Sequence, residues 1–126
     1  MDLQSIISEV KTLARETGRF IAEQRKNFDS SRVESKQSHD YVSYVDKECE
    51  RMIVSRLKEI LPQAGFITEE KTIAQDDGNK ELYWIVDPLD GTTNFIHDLA
   101  PYSVSIALRD SKDLLLGVVY EVTRDE

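Results

Sequence analysis

Apolar residues recur at helical spacing through Leu3, Ile6, Ile7, Val10, Leu13, Ala14 and Ile21, which predicts an amphipathic helix over 3–21. Residues 22–43 are mostly polar and break that spacing, so they read as a loop with short extended pieces. A second stripe follows at Val45, Cys49, Met52, Ile53, Leu57, Ile60 and Leu61. Ser43 is placed to cap it and Pro62 to stop it. The pattern then turns to strands. Gly65–Thr68 is a short one that ends in Glu69-Glu70, and 71–80 is a polar loop with a turn at Asp76-Asp77-Gly78-Asn79. Glu81–Val86 is a second strand and delivers Asp87, where Pro88, lacking an N–H, ends the ladder. From Tyr102 the chain alternates, with Val104, Ile106 and Leu108 on one face and Ser103, Ser105 and Ala107 on the other. Arg109–Asp113 makes a hairpin connection, and Leu114–Val122 is the return strand. Two helices ahead of several strands predict an α+β fold, with two N-terminal helices packed on a mainly antiparallel sheet.

A chain of 126 residues has the size of one domain. No apolar stretch approaches the roughly 20 residues that a membrane helix needs. The opening MDLQSIISEV lacks the basic start and apolar middle of a signal peptide, so a cytoplasmic location is expected. The single cysteine, Cys49, agrees with a reducing compartment; it sits on the apolar stripe and reads as core. The net charge of −8 disfavours nucleic acid and anionic membranes as partners. It does not exclude a phosphorylated small molecule if divalent cations stand between carboxylates and phosphate.

That condition directs attention to WIVDPLDGTTNF, residues 84–95. Glu69, Asp87 and Asp90 all lie just past apolar strand pieces. If the two strands are neighbours, the carboxylates meet, and with the Leu89 carbonyl they form a hard oxygen set suited to Mg²⁺ or Mn²⁺. Gly91 and the following Thr92-Thr93-Asn94 suggest a turn into a helix whose first N–H groups can hold phosphate. The plainer reading also stands. Asp-Pro and Asp-Gly are ordinary turn dipeptides, Glu-Glu is ordinary surface, and Thr92 or Thr93 can be a simple N-cap. Ser43-x-x-Asp46 likewise has the form of a capping box.

The segment resembles the signature of the inositol monophosphatase family, the Mg²⁺-dependent, lithium-sensitive sugar phosphatases. Its D-P-hydrophobic-D-G-T-x-N-F pattern is met at every position from Asp87 to Phe95. Upstream, FITEE resembles the family's Glu-Glu segment, and Lys36 followed by DYVSYVD resembles its K…D-x-V-(T/S)-x-x-D segment. Downstream, YSVSIAL and GVVYEV are similar to its strands. The resemblance implies that this chain is the N-terminal part of a layered αβαβα fold. It implies two or three Mg²⁺ ions, with Mn²⁺ as a substitute, held by Glu69, Asp87, Asp90 and the Leu89 carbonyl. Asp46 with Thr92 orients and deprotonates the attacking water. Gly91 and Thr92 N–H groups hold phosphate, and Asp90 meets substrate hydroxyls. Glu69 thus counts among both metal and catalytic residues. Lys36 and Glu70 fall in the same segments and are carried as further candidates, and Asp40 remains open. His39 and His97 match no catalytic position and read as surface or structural; Trp84 reads as packing.

The implied reaction is hydrolysis of a phosphate monoester, myo-inositol 1-phosphate or a related sugar phosphate, in a cytoplasmic homodimer. Thr93-Asn94 stands where nucleotide-directed relatives carry Lys-Glu, which favours the inositol phosphate branch. Fructose 1,6-bisphosphate, histidinol phosphate and a 3′,5′-nucleotide bisphosphate stay open as substrates. Family members are about twice as long and carry a W-D-x-A-A/G-type motif that this chain lacks. The chain is therefore read over 1–126 as the N-terminal half of such an enzyme, inactive alone. The alternative from another class is a non-catalytic metal- or protein-binding module.

Overall fold

The computed structural model describes residues 2–27, 35–68 and 80–126, with side chains from 41 onward in the second of these segments. The element order is α1 (Leu3–Asn27), α2 (Ser35–Ile60), β1 (Gly65–Thr68), β2 (Tyr83–Asp90), α3 (Thr92–His97), β3 (Ser103–Arg109) and β4 (Leu114–Glu121). The four strands form one sheet in the order β1-β2-β3-β4. β1 pairs with β2 in parallel, and the two other pairings are antiparallel. The molecule is thus α+β, with helices on a mixed, mainly antiparallel sheet, as the pattern predicts.

α1 starts at Asp2, whose carboxylate accepts from the N–H groups of Gln4 at 3.1 Å and Ser5 at 3.4 Å and from the Ser5 hydroxyl at 2.8 Å. This satisfies donors that the first turn would leave unpaired. Arg25 and Lys26 close the helix at its negative dipole end. α1 buries Ile6, Val10, Leu13, Ala14, Thr17, Gly18 and Ile21, nearly the predicted stripe.

The loop expected over 22–43 is mostly helix. α1 continues to Asn27 and α2 begins at Ser35. The described parts of that loop, 22–27 and 35–43, belong to the two helices, and Tyr41 ties these together by donating to the Gln24 carbonyl at 2.9 Å. Ser43 is therefore inside α2, not its N-cap, and the Ser43-x-x-Asp46 capping box does not form. The Arg56–Glu9 pair at 3.2 Å also links the helices. Both its side chains are about half exposed, so it adds at most about 1 kcal/mol.

One sheet face packs on the helices. Phe66, Trp84, Val86, Val104, Ile106, Leu108, Leu116 and Tyr120 are buried there against Val10, Leu13, Ile21, Val45, Cys49, Ile53 and Leu57. The opposite face carries Ile67, Ile85 and Val119 at 44%, 37% and 65% exposure. The β3–β4 hairpin is closed by Asp110, whose carboxylate accepts from Lys112 N–H at 2.8 Å and Asp113 N–H at 2.7 Å.

β2 departs from expectation at Pro88. The strand does not end there but runs to Asp90, with a shift of register between Asp87 and Asp90. A bulge accommodates the missing N–H, which is the setting in which a sheet tolerates proline.

Gly18 lets α1 approach β4. A Cβ there would lie 2.2 Å from Cε2 and 2.6 Å from Cδ2 of Tyr120, a ring held by its hydroxyl's bond to Asp125. Gly→Ala within a helix ordinarily gains about 1 kcal/mol. Overpacking a fitted contact costs about 1–3 kcal/mol, so the clash wins. Gly18→Ala is expected to lower stability by about 1–2 kcal/mol in urea unfolding. At Gly117 a Cβ meets nothing within 4 Å, and Gly117→Ala is expected to be neutral or stabilising by up to about 1 kcal/mol.

Candidate active site

In the parallel register Gly65, Phe66, Ile67 and Thr68 lie opposite Tyr83, Trp84, Ile85 and Val86. β1 therefore ends beside Val86, immediately before Asp87, the neighbour relation on which the expected carboxylate cluster depends. Trp84 and Val86 fix β2 to the helix side, so Asp87 follows on the opposite pleat and is half-buried. The bulge then buries Pro88 and Leu89 together, the Leu89 side chain at 3% exposure, and returns Asp90 to solvent. Buried Leu89 thus anchors the segment from which both aspartates project.

Asp46 approaches from the other layer. It lies mid-helix on the sheet-facing stripe of α2, only 5% exposed. α2 packs on β2 and also touches α3. Asp46, Glu50 and Asp87 all interact with neighbouring groups. Cys49 is fully buried beside them; burial pushes its thiol up, and the carboxylates of Asp46 and Glu48 add to the shift. It is a core residue rather than a nucleophile.

Glu69 and Glu70 lie outside the described residues, as do the side chains of Lys36, His39 and Asp40. Among the described residues no group of three carboxylate, histidine or cysteine side chains is positioned to hold a metal.

Gly91 turns the chain from β2 into α3 with φ 95° and ψ 44°, a left-handed conformation. It is the N-cap of α3, and no side chain caps the helix, so the capping role considered for Thr92 or Thr93 is not taken. A Cβ at Gly91 would come 2.8 Å from the Pro101 carbonyl. Asn94 donates to that same carbonyl through Nδ2 at 2.8 Å. Phe95, wholly buried, meets Tyr102 edge-to-face at 5.6 Å between ring centres. Tyr102 donates to Asp98 at 2.9 Å, and its N–H donates to Glu121 at 3.1 Å. Glycine, asparagine and phenylalanine of the motif therefore hold the turn against residues 98–102. His97 is exposed in the last turn of α3, as read from the sequence.

Sequence reasoning missed Glu50. It is fully buried on α2, one turn beyond Asp46. The available signal was a carboxylate at i+4 from Asp46, on the side of the stripe that holds Cys49 and Ile53. It also missed Tyr102 as the partner of Phe95, because nothing local links the two.

The family model for the inositol monophosphatase family matches residues 2–126. The chain belongs to the inositol monophosphatase family. A protein named Nus factor SuhB from Vibrio cholerae is 39% identical over 113 residues, covering 90% of this chain and 42% of that protein. An inositol-1-monophosphatase from Mesorhizobium japonicum is 33% identical over 126 residues, covering 100% of this chain and 47% of that protein. A solved structure of inositol monophosphate-bound SaIMPase-II superposes with a TM-score of 0.75 at 27% identity, covering 98% of this chain and 43% of that one. The chain thus spans about half the length of the relatives it matches.

Gly91→Ala forces an L side chain into a left-handed backbone and against a carbonyl. It is expected to destabilise by about 1–3 kcal/mol in denaturant unfolding. Tyr102 makes a pH prediction. Burial, then the bond to Asp98, push its phenol up to about 12 from the ordinary 10.0. Between these values the folded state keeps a proton that the unfolded chain has lost, so stability falls as pH rises through the window and is whole below it. Tyr41 and Tyr120 are shifted upward too. Tyr102→Phe should therefore flatten, without abolishing, the alkaline loss of stability followed by urea unfolding from pH 9 to 12.

Proposed function

We propose that the chain is the N-terminal half of a Mg²⁺-dependent phosphomonoesterase that hydrolyses inositol monophosphate or a related sugar phosphate. The observation that carries this reading is the parallel register that sets the end of β1 beside Val86, just before β2 delivers Asp87-Pro88-Leu89-Asp90. Family membership and the inositol monophosphate-bound neighbour support the substrate class.

The donors fit the cation chemically. Asp87, Asp90, the Leu89 carbonyl and Glu69 are all hard oxygen ligands, with Glu70 adjacent, the set that Mg²⁺ or Mn²⁺ prefers. A cation bound there neutralises phosphate charge and makes water a usable nucleophile near neutral pH. This chain's own residues do the rest. Buried Asp46, with Thr92 at the start of α3, orients the attacking water and accepts its proton. The Gly91 and Thr92 N–H groups hold phosphate oxygens. Asp90, exposed at the strand end, meets substrate hydroxyls. Lys36, whose side chain lies outside the described residues, is carried as a further candidate only. The parent is read as a lithium-sensitive cytoplasmic homodimer; among the described residues no helix is long and apolar enough to cross a membrane.

The second reading is a module that binds metal or a protein partner without turnover. It is favoured by relatives that bear the name Nus factor SuhB. The two separate in one assay, phosphate release with Mg²⁺ by the chain extended to the full length of its relatives. Inositol 1-phosphate, fructose 1,6-bisphosphate and a 3′,5′-nucleotide bisphosphate form the panel. Release from inositol 1-phosphate, suppressed by lithium, is the expected outcome, and Asp46→Asn should lower kcat by about 10²–10⁴ while cation binding persists. The 126-residue chain alone should turn over little or nothing. Cation binding without release from any of the three esters would favour the module.

A further inference from the structure

Tyr102 joins α3 to the sheet. Its N–H donates to the Glu121 carboxylate at 3.1 Å, and its carbonyl accepts from the Val122 N–H at 3.0 Å, so its backbone is pinned to the end of β4. From there it meets the motif segment at three places. A Cβ at Gly91 would lie 3.3 Å from Tyr102 Cα and 3.4 Å from its Cβ. The ring meets Phe95 edge-to-face at 5.6 Å. The hydroxyl donates to Asp98 at 2.9 Å. Gly91, Phe95 and Asp98 follow the i, i+4, i+7 spacing that puts residues on one stripe of a helix. The stripe runs from the N-cap of α3 to its C-cap. A helix held at its start, middle and end on one side has no pivot left.

The Asp98 end is the one that needs a restraint. Asp98 has φ 53° and ψ 44°, a left-handed backbone that a residue with a Cβ adopts at a cost. Its N–H closes the last turn on the Phe95 carbonyl at 3.2 Å, and the Leu99 N–H reaches the Asn94 carbonyl at 2.9 Å. Tyr102 is only 3% exposed. Phenylalanine there would fill almost the same volume and keep the ring contact, so the distinct contribution of the hydroxyl is the bond to Asp98. Thr92 stands at the opposite end of the same short helix, directly after Gly91.

We propose that Tyr102 and Asp98 are positioning residues for Thr92: the hydrogen bond between them locks the C-cap of α3 and so fixes the helix start that carries Thr92. The role rests on the phosphatase reading above, in which Thr92 orients the attacking water. Neither residue touches substrate in this role.

The test uses the chain extended to the full length of its relatives, with Mg²⁺ and inositol 1-phosphate. Tyr102→Phe should lower kcat by about three- to tenfold with KM changed less than about twofold. Asp98→Ala should do the same, and the double variant should lose no more than either alone, because both remove one and the same bond. Asp98→Asn keeps an acceptor oxygen and should hold kcat within about twofold of the unsubstituted protein. Urea unfolding of each variant separates a loss of stability from a loss of turnover. An unchanged kcat in Tyr102→Phe, whatever its stability, overturns the proposal. So do losses that multiply in the double variant, or an asparagine variant as slow as the alanine one. Failure of the unsubstituted protein to release phosphate from any ester sinks the phosphatase reading itself, and the positioning role with it.

Discussion

The parallel pairing of β1 with β2 is the constraint on which the candidate site depends. Parallel strands end at the same edge of a sheet, so whatever follows Thr68 and Val86 is delivered to one place. An antiparallel pairing would have sent the two ends to opposite edges. The register is enforced by burial, because a slip of one residue would turn Trp84 and Val86 out to solvent and bring Ile85 and Asp87 against the helices. Burying a carboxylate in place of Val86 costs several kcal/mol, which no other register recovers.

Around that edge the motif divides its labour. Gly91, Asn94 and Phe95 spend their chemistry on holding the turn to Pro101 and Tyr102. The fit is tight, since the Pro101 carbonyl occupies the space a side chain at Gly91 would need and at the same time accepts from Asn94. Asp87, Asp90 and Thr92 are thereby held on a turn that cannot relax independently of β3. Precise placement of polar groups on a backbone fixed by packing is what the proposed hydrolysis would require. α2, which packs on β2 and touches α3, carries Asp46 buried in the helix layer.

The sheet is dressed on one face. Ile67, Ile85 and Val119 stay exposed on the other, in a chain that spans about half the length of its relatives. Exposed apolar residues of this kind favour association.

By itself the sequence determined the helix and strand identities wherever one face is buried. Periodicity of 3.6 in α1 and of 2 in β3 reports burial directly; β3 was legible to within a residue or so, while α1 runs past the predicted end at 21 to Asn27. The D-P-x-D-G-T-x-N-F segment also carried the family, because its residues are chemically specific at fixed spacing. What the sequence did not decide was set by contacts distant along the chain. Within the polar stretch 22–43, residues 22–27 and 35–43 are helical because α1 and α2 support each other, which local polarity does not reveal. Ser43 looked like a cap because its side chain suits one, yet α2 had already begun at Ser35. β2 passes Pro88 because β3 accepts a bulge there, and Gly91 is needed because Pro101 lies over it. The burial of Glu50 and Thr68 is likewise set by the fold. Local pattern encodes which side of an element faces inward; only tertiary structure decides what it meets there.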